Sequence, residues 1–207
     1  MLVRTGPAGD RRAMAEQLKI GVVVGSTRTG RFADRPAEWL MRLASKRTDV
    51  AFELVDLRDY PLPFFDEPKS PLREASKHPV AVKWSHKVKE LDAFVFITAE
   101  YNHSITAALK NAIDYLYPEW NRKPAGFVAY GNAGGARAVE QLRLILVEVQ
   151  VAPIRSAVHV MRPEFVEMLL HGKTFADFPH LDQAAELMLD DLTWWARTLK
   201  AGRTTAA

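Results

Sequence analysis

The chain alternates between short runs of β-branched and aromatic apolar residues and longer segments in which apolar residues recur every three or four positions. The short runs predict strands buried in a sheet. They cover residues 20–24, 50–57, 93–98, 126–130 and 154–160. The longer segments predict amphipathic helices at 36–47, 80–91, 106–116 and 136–149, and two more helices after the last strand. This alternation predicts a parallel sheet with right-handed connections and helices on both faces.

Three of the predicted strands end in loops of small and polar residues. These loops cover 25–31, 99–104 and 131–135, after the first, third and fourth strands. Because parallel strands point the same way, the three loops open at one edge of the sheet, where open α/β sheets bind ligands. We expect a flavodoxin-like three-layer α/β/α sandwich with a five-stranded parallel sheet in the order 2-1-3-4-5. FMN is a common ligand of the crevice that this order creates.

The first loop, GSTRTGR, combines features that bind a phosphate group. A hydroxyl and two guanidinium groups lie beside a predicted helix N-terminus, which favours anions. ATP chemistry is disfavoured because Arg31 and Phe32 replace the Lys and Ser/Thr of a P-loop. A Rossmann-type NAD site is disfavoured as well, because the glycines do not have the G-x-G-x-x-G spacing. A thiol phosphatase is excluded because the chain has no cysteine. The loop predicts a phosphorylated ligand that is bound without being attacked; a solvated polar turn is the alternative.

Composition indicates one globular domain and argues against several partners. The 207 residues are 48% hydrophobic and 26% charged, which suits a single domain over 18–202 after a disordered lead-in over 1–17. The net charge of +3 does not indicate nucleic-acid binding, and no apolar stretch is long enough to span a membrane. The lack of cysteine agrees with a reducing, cytoplasmic location. The histidines lack metal-binding spacing, so no metal site is expected.

Three ordered motifs give the chain a more specific resemblance. They are Gly25-Ser26-Thr27-Arg28, then Glu100-Tyr101-Asn102 followed by LKNAID at 109–114, and YGNAGGARA at 130–138. With these motifs the chain resembles, over roughly residues 19–160, the NADPH-dependent FMN reductase family, whose members include quinone, azo-dye and chromate reductases. The resemblance implies an enzyme that binds FMN, takes hydride from NADPH and passes it to a flavin, quinone or similar small electron acceptor.

The resemblance also implies nine cofactor-binding residues, three from each loop. They are Ser26, Arg28, Arg31, Glu100, Tyr101, Asn102, Gly131, Gly134 and Gly135. The first three would bind the FMN phosphate, and the second three would approach the flavin ring. The glycines would let backbone N–H groups face the pyrimidine edge, where charge accumulates on reduction. No catalytic side chain is expected, because the cofactor carries the hydride chemistry.

Two departures from the family pattern concern the flavin loop. Ala99 and Thr106 stand where the family usually has proline, and we expect them to loosen this loop. The helix after the loop usually contributes to a homodimer in this family. Its apolar stripe, with Tyr115 and Trp120, predicts a homodimer or homotetramer. Aromatic residues at the mouth of the site are expected to be Phe64, Phe65, Tyr117 and Trp120.

Two other functions fit the same fold. A flavodoxin-type electron carrier would also bind FMN, but flavodoxins are typically acidic, whereas this chain has a pI near 9.2. A scaffold with vestigial motifs is the second alternative. The visible spectrum of the purified protein, followed by anaerobic addition of NADPH, distinguishes all three.

Overall fold

A computed structural model of the chain describes residues 17–205. Except for Gln17, the predicted lead-in over 1–17 lies outside the described residues. Five parallel strands form one sheet, as the alternation of strands and helices predicted, and their order is β2-β1-β3-β4-β5. The predicted flavodoxin-like fold is confirmed.

The strands and helices follow one another in strict alternation up to the last strand. In chain order they are β1 Leu18–Val24, α1 Asp34–Ala44, β2 Val50–Asp56, α2 Pro79–Glu90, β3 Ala93–Ala99, α3 Ala107–Asp114, β4 Pro124–Tyr130, α4 Ala136–Glu148, β5 Ala152–Val160, α5 Arg162–Leu170 and α6 Pro179–Thr205. Two short 3-10 helices lie at Leu57–Asp59 and Phe175–Asp177.

The sheet separates two apolar cores. α1 and α6 pack on one face, and α2, α3 and α4 pack on the other. Every residue of β3 and β4 is buried, because both strands lie inside the sheet and have helices on both faces. This burial explains why these strands have continuous apolar runs in the sequence rather than alternating ones.

Three strands begin earlier than the sequence pattern predicts. β1 begins at Leu18, β4 at Pro124 and β5 at Ala152, each two residues before the predicted start. Proline is tolerated as the first residue of a strand, where its missing N–H removes no ladder hydrogen bond. The apolar pattern therefore underestimates the lengths of these three strands.

The aromatic residues expected near the mouth of the site occupy different environments. Trp120 is fully buried, and its ring packs edge-on against Phe94 and Trp84. Tyr115 is also buried, with Phe65 packed edge-on against it at 5.2 Å between ring centroids. The prediction that Trp120 lines the mouth is wrong, because this side of the sheet needs large side chains to fill the space between α2, α3 and the strands.

At the edge of the sheet opposite the three loops, one carboxylate links several elements. Asp92 accepts hydrogen bonds from the Lys19 backbone N–H at 3.1 Å, from Lys200 Nζ at 2.8 Å and from Arg203 at 2.9 Å. This buried group joins the start of β1 to the last turns of α6.

Candidate functional site

The three polar loops meet at the carboxyl edge of the sheet and enclose a cavity of about 350 Å³. It is lined by Arg28, Gly30, Arg31, Phe32, Ala99, Glu100, Tyr101, Tyr130, Gly131, Asn132, Phe165 and Leu169. A neighbouring cavity of about 330 Å³ lies beside α3 and takes only Thr27 from the first loop and nothing from the third. The cavity that all three loops share is therefore the candidate site.

Arg31 is used entirely within the protein. Its Nε donates to Asp34 at 2.8 Å, one terminal nitrogen donates to Asp56 at 2.8 Å and to the Ser26 carbonyl, and the other contacts both carboxylates. Burial lowers the pKa of Arg31, but the hydrogen bonds to Asp56 and Asp34 outweigh burial and raise it above its ordinary value. The pKa of Asp56 is correspondingly lowered, against the effect of burial, by its hydrogen bond to Arg31.

These contacts fix the first loop to the end of β2. All five N–H donors of a guanidinium group are needed for the contacts that Arg31 makes, so no donor is left for a ligand. Arg28 differs, because it is exposed and lines the cavity. Its backbone carbonyl accepts a hydrogen bond from Arg58 at 2.8 Å, and no side-chain hydrogen bond or ion pair of Arg28 is seen among the described residues.

The first and second loops are joined by two hydroxyl contacts. The Ser26 and Tyr101 hydroxyl oxygens lie 3.5 Å apart. The Thr106 hydroxyl donates to the Gly25 carbonyl and accepts from the Leu109 N–H at 3.2 Å, which caps α3. Thr106 therefore links the start of α3, just after the second loop, to the first loop. That the change from proline loosens the second loop stays a prediction.

The second loop is a tight turn with an unusual backbone. Tyr101 and Ser104 exchange two backbone hydrogen bonds of 2.9 and 3.0 Å, and Asn102 and His103 between them have φ of +50° and +69°. Two positive φ values at the centre of a two-residue turn are typical of type I′, which favours Asn-Gly. Tyr101 lines the cavity, while Asn102 is exposed outside its lining.

Glu100 connects the second loop to the third. Its carboxylate forms an ion pair with the Arg137 guanidinium and accepts from the Arg137 N–H at 3.2 Å, and its backbone N–H donates to the Tyr130 carbonyl at 3.1 Å. The Glu100 side chain is only 4% exposed. Glu100 lines the cavity, and these contacts also position the turn that follows it.

The glycines of the third loop serve packing as well as access. Gly135 has φ of +69°, and a Cβ there would lie 2.5 Å from the Ala129 Cβ. A Cβ on Gly134 would meet Met161, so both glycines let α4 begin close against the sheet. Gly131 is the one of the three that lines the cavity.

An aromatic wall closes the side of the cavity beneath α5. The Phe165 ring packs edge-on against Phe32, at 4.8 Å between centroids, and lies nearly parallel to Tyr130 at 5.8 Å. Burial raises the pKa of the Tyr130 hydroxyl, which stays protonated at neutral pH. One cavity thus has a cationic end at Arg28 and an apolar wall, which matches a ligand with an anionic end and a flat ring.

Several site residues were not predicted from the sequence. They are Asp34, Asp56, Arg58, Tyr130, Arg137, Phe165 and Leu169. Arg137 and Tyr130 lie within the third motif, so their positions carried a signal. Phe165 and Leu169 reach the cavity only because α5 folds back over the sheet edge.

Within residues 17–205, no group of three or more histidine, aspartate or glutamate side chains has a geometry that could hold a metal ion. None of the helices in that part of the chain combines the length and apolarity needed to cross a bilayer.

Comparisons with known proteins identify the family to which the chain belongs. Residues 18–164 match the family described as NADPH-dependent FMN reductase. An NAD(P)H-dependent FMN reductase of Schizosaccharomyces pombe is 37% identical over 155 residues, which cover 72% of this chain and 76% of the relative. A quinone reductase of Escherichia coli is 30% identical over 167 residues, covering 77% of this chain and 82% of the relative.

A solved structure shows the same fold at lower identity. A flavoenzyme NAD(P)H:(acceptor) oxidoreductase from Paracoccus denitrificans superposes with a TM-score of 0.63 at 21% identity, covering 89% of this chain and 98% of that one. The chain belongs to the NADPH-dependent FMN reductase family, as its three motifs predicted. The predicted class, an FMN-dependent NAD(P)H oxidoreductase, is confirmed, and the electron-carrier alternative is not favoured.

Proposed function

We propose that FMN binds in the cavity shared by the three loops, with its phosphate at Arg28 and its ring between Tyr101 and Gly131. The observation that carries this orientation is the contrast between the two arginines of the first loop. Arg28 is exposed at the cavity, whereas every donor of Arg31 has a protein partner. Arg28 therefore supplies the charge for the phosphate, and Arg31 positions the loop.

Each loop has a separate task in this assignment. Ser26 and the backbone of the first loop donate hydrogen bonds beside Arg28. Tyr101, 38% exposed, presents its ring to the cavity, and Gly131 lets the third loop approach a flat ligand. Phe32 and Phe165 exclude water from the opposite wall. Glu100 and Asn102 shape the turn, and Gly134 and Gly135 set the start of α4.

Bound FMN supplies the redox chemistry, in which hydride from NAD(P)H is passed on to a small acceptor. The residues of this chain bind and orient. No acid, base or nucleophile is assigned, because none of the side chains that line the cavity forms such a constellation. We propose flavins, quinones and similar flat acceptors as substrates, since an open mouth beside Tyr101 serves a nicotinamide and an acceptor in turn.

Equilibrium titration with FMN, riboflavin and FAD tests the site. We expect FMN to bind at least about tenfold more tightly than riboflavin, because a charged hydrogen bond contributes about 1.5–3 kcal/mol. Equal binding of FMN and riboflavin would contradict the phosphate assignment.

Anaerobic stopped-flow mixing of the FMN-loaded protein with NADPH or NADH then measures bleaching of the flavin and the preference between the nucleotides. An absence of bleaching with both would favour an electron carrier.

We propose that the protein is cytoplasmic and that it forms a homodimer or homotetramer. The predicted interface on α3 lacks support because Leu109, Ala112 and Ile113 are buried against its own sheet. Exposed apolar side chains lie instead on α4, where Leu144 and Val147 are 71% and 60% exposed. Light scattering of the 23.3 kDa chain and of a Leu144→Glu variant tests this, and a monomer at micromolar concentration would exclude it.

A further inference from the structure

The turn at residues 101–104 has a backbone that favours glycine at its second central position. Both central residues are left-handed, and the second one is His103, where a type I′ turn favours glycine. A β-carbon at this position costs conformational energy. The two hydrogen bonds between Tyr101 and Ser104 close the turn. Interactions with residues outside the turn must therefore offset the remaining conformational energy of the left-handed His103.

Arg137 contacts both the residue that precedes the turn and one of its two central residues. One terminal nitrogen pairs with the carboxylate of Glu100, which directly precedes the turn. The other lies 2.7 Å from Nε2 of His103, the strained central residue. Arg137 is itself fixed, because it lies in the first turn of α4 and its backbone N–H donates to Glu100 at 3.2 Å.

We propose that Arg137 is a positioning residue that sets the orientation of Tyr101 in the cavity by holding this turn in its left-handed conformation. The inference rests on the proposed function, in which Tyr101 borders the flavin ring. Arg137 does not line the cavity itself, so its effect on turnover passes through the turn. The planar guanidinium group suits this task because it presents two nitrogens to two partners, which a lysine ammonium on a single flexible stem cannot match.

The first test needs no cofactor. Amide hydrogen exchange of the protein without FMN measures the hydrogen bonds between Tyr101 and Ser104 directly. In Arg137→Met we expect the protection of these two amides to fall about tenfold, the effect of losing roughly one charged hydrogen bond. In Arg137→Met/His103→Gly the protection should return, because glycine removes the cost of the left-handed residue. Glu140→Gln, an exposed change on α4, is the control and should leave it unchanged.

The second test is a double-mutant cycle in the FMN-loaded enzyme. If Arg137 acts through Tyr101, then Arg137→Met and Tyr101→Ala should each lower kcat/KM, and the combined variant should be no worse than Tyr101→Ala alone. Arg137→Lys should retain less than half of the wild-type kcat/KM. Full activity in Arg137→Lys, multiplied losses in the double variant, or unchanged amide protection in Arg137→Met would each refute the proposal. Failure to bind FMN would instead refute the proposed function, while the exchange experiment would still decide the role of Arg137.

Discussion

The guanidinium group of Arg31, in the loop after β1, meets the carboxylate of Asp56, the last residue of β2, through two parallel hydrogen bonds. One of them is 2.8 Å long. This side-by-side geometry joins the ends of two neighbouring strands and holds the first loop over the carboxyl edge of the sheet. The loop that carries Arg28 is therefore positioned by a residue from a strand that contributes nothing to the cavity lining.

Replacement of Asp56 separates a positioning role for Arg31 from direct binding of phosphate. In Asp56→Asn we expect weaker FMN binding, by about tenfold, and a free energy of unfolding lower by roughly 1–3 kcal/mol, because the buried charge of Arg31 loses one of its two carboxylate partners. If Arg31 instead bound the phosphate, releasing it from Asp56 would tighten binding. Isothermal titration with FMN and urea unfolding measure the two effects. Asp49→Asn, an exposed change whose ion pairs lie on the surface, is the control.

Arg28 and Tyr101 should affect different parameters. Arg28→Ala is expected to weaken FMN binding roughly 10- to 150-fold, the loss of one charged hydrogen bond, with turnover largely restored at saturating FMN. Tyr101→Ala should weaken binding less and change the flavin-saturated rate or the preference among acceptors more. Dissociation constants and turnover at saturating FMN are measured for both variants. Normal FMN binding by Arg28→Ala would show that the first loop is a solvated polar turn.

The Thr106 hydroxyl should contribute to stability through both of its hydrogen bonds. Thr106→Val keeps the shape of the side chain but removes the α3 cap and the bond to the Gly25 carbonyl. We expect a loss of about 1–2 kcal/mol in the free energy of unfolding, together with weaker FMN binding. Thr198→Val is the control, since that hydroxyl is exposed and bonds only within α6. A change no larger than the control's would mean that the cap is dispensable.

Lys123 should make stability depend on pH in the alkaline range. Burial lowers the pKa of its ammonium group from 10.5 to about 8, although it donates to the Val88 and Lys89 carbonyls at the end of α2. Between these values the unfolded chain binds more protons than the folded one, so the free energy of unfolding should rise with pH. The cost of the buried charge is present in full below about pH 8. The rise should be at most about 1.4 kcal/mol per pH unit.

Comparison with Lys123→Met isolates this effect from other alkaline titrations. Urea unfolding at several pH values between about 7 and 10 gives the difference in free energy of unfolding between the two proteins. We expect the wild-type protein to gain stability relative to the variant as pH rises. A difference that does not vary with pH would mean that the ammonium group is solvated.

The sequence predicted the parallel strands and the three loops that follow them because both depend on local patterns. Buried parallel strands have continuous apolar runs, and the motifs follow three of them directly. The partners of Arg31 could not be predicted in the same way. Asp34 and Asp56 look like ordinary surface carboxylates in the sequence, and only the pairing of β1 with β2 brings Asp56 to the first loop.

Position 106 shows a second limit of sequence comparison. A departure from proline at position 106 removes a rigid residue, but it also introduces a hydroxyl whose partner is 81 residues away. Likewise, Tyr115 and Trp120 are residue types that are common at protein interfaces, but both are buried in the core. Which role an aromatic residue takes depends on how much volume the opposing elements leave, and that is a property of the assembled layers.

The carboxylate of Asp92 brings the two ends of the described chain together. The backbone of Lys19 and the side chain of Arg203 contact the same carboxyl group, at the sheet edge opposite the cavity. A short peptide could therefore join position 18 to position 205, and new termini could be opened in a surface loop without moving the site. The same placement puts both ends of the described part of the chain, close to positions 18 and 205, on the side of the protein away from the cavity.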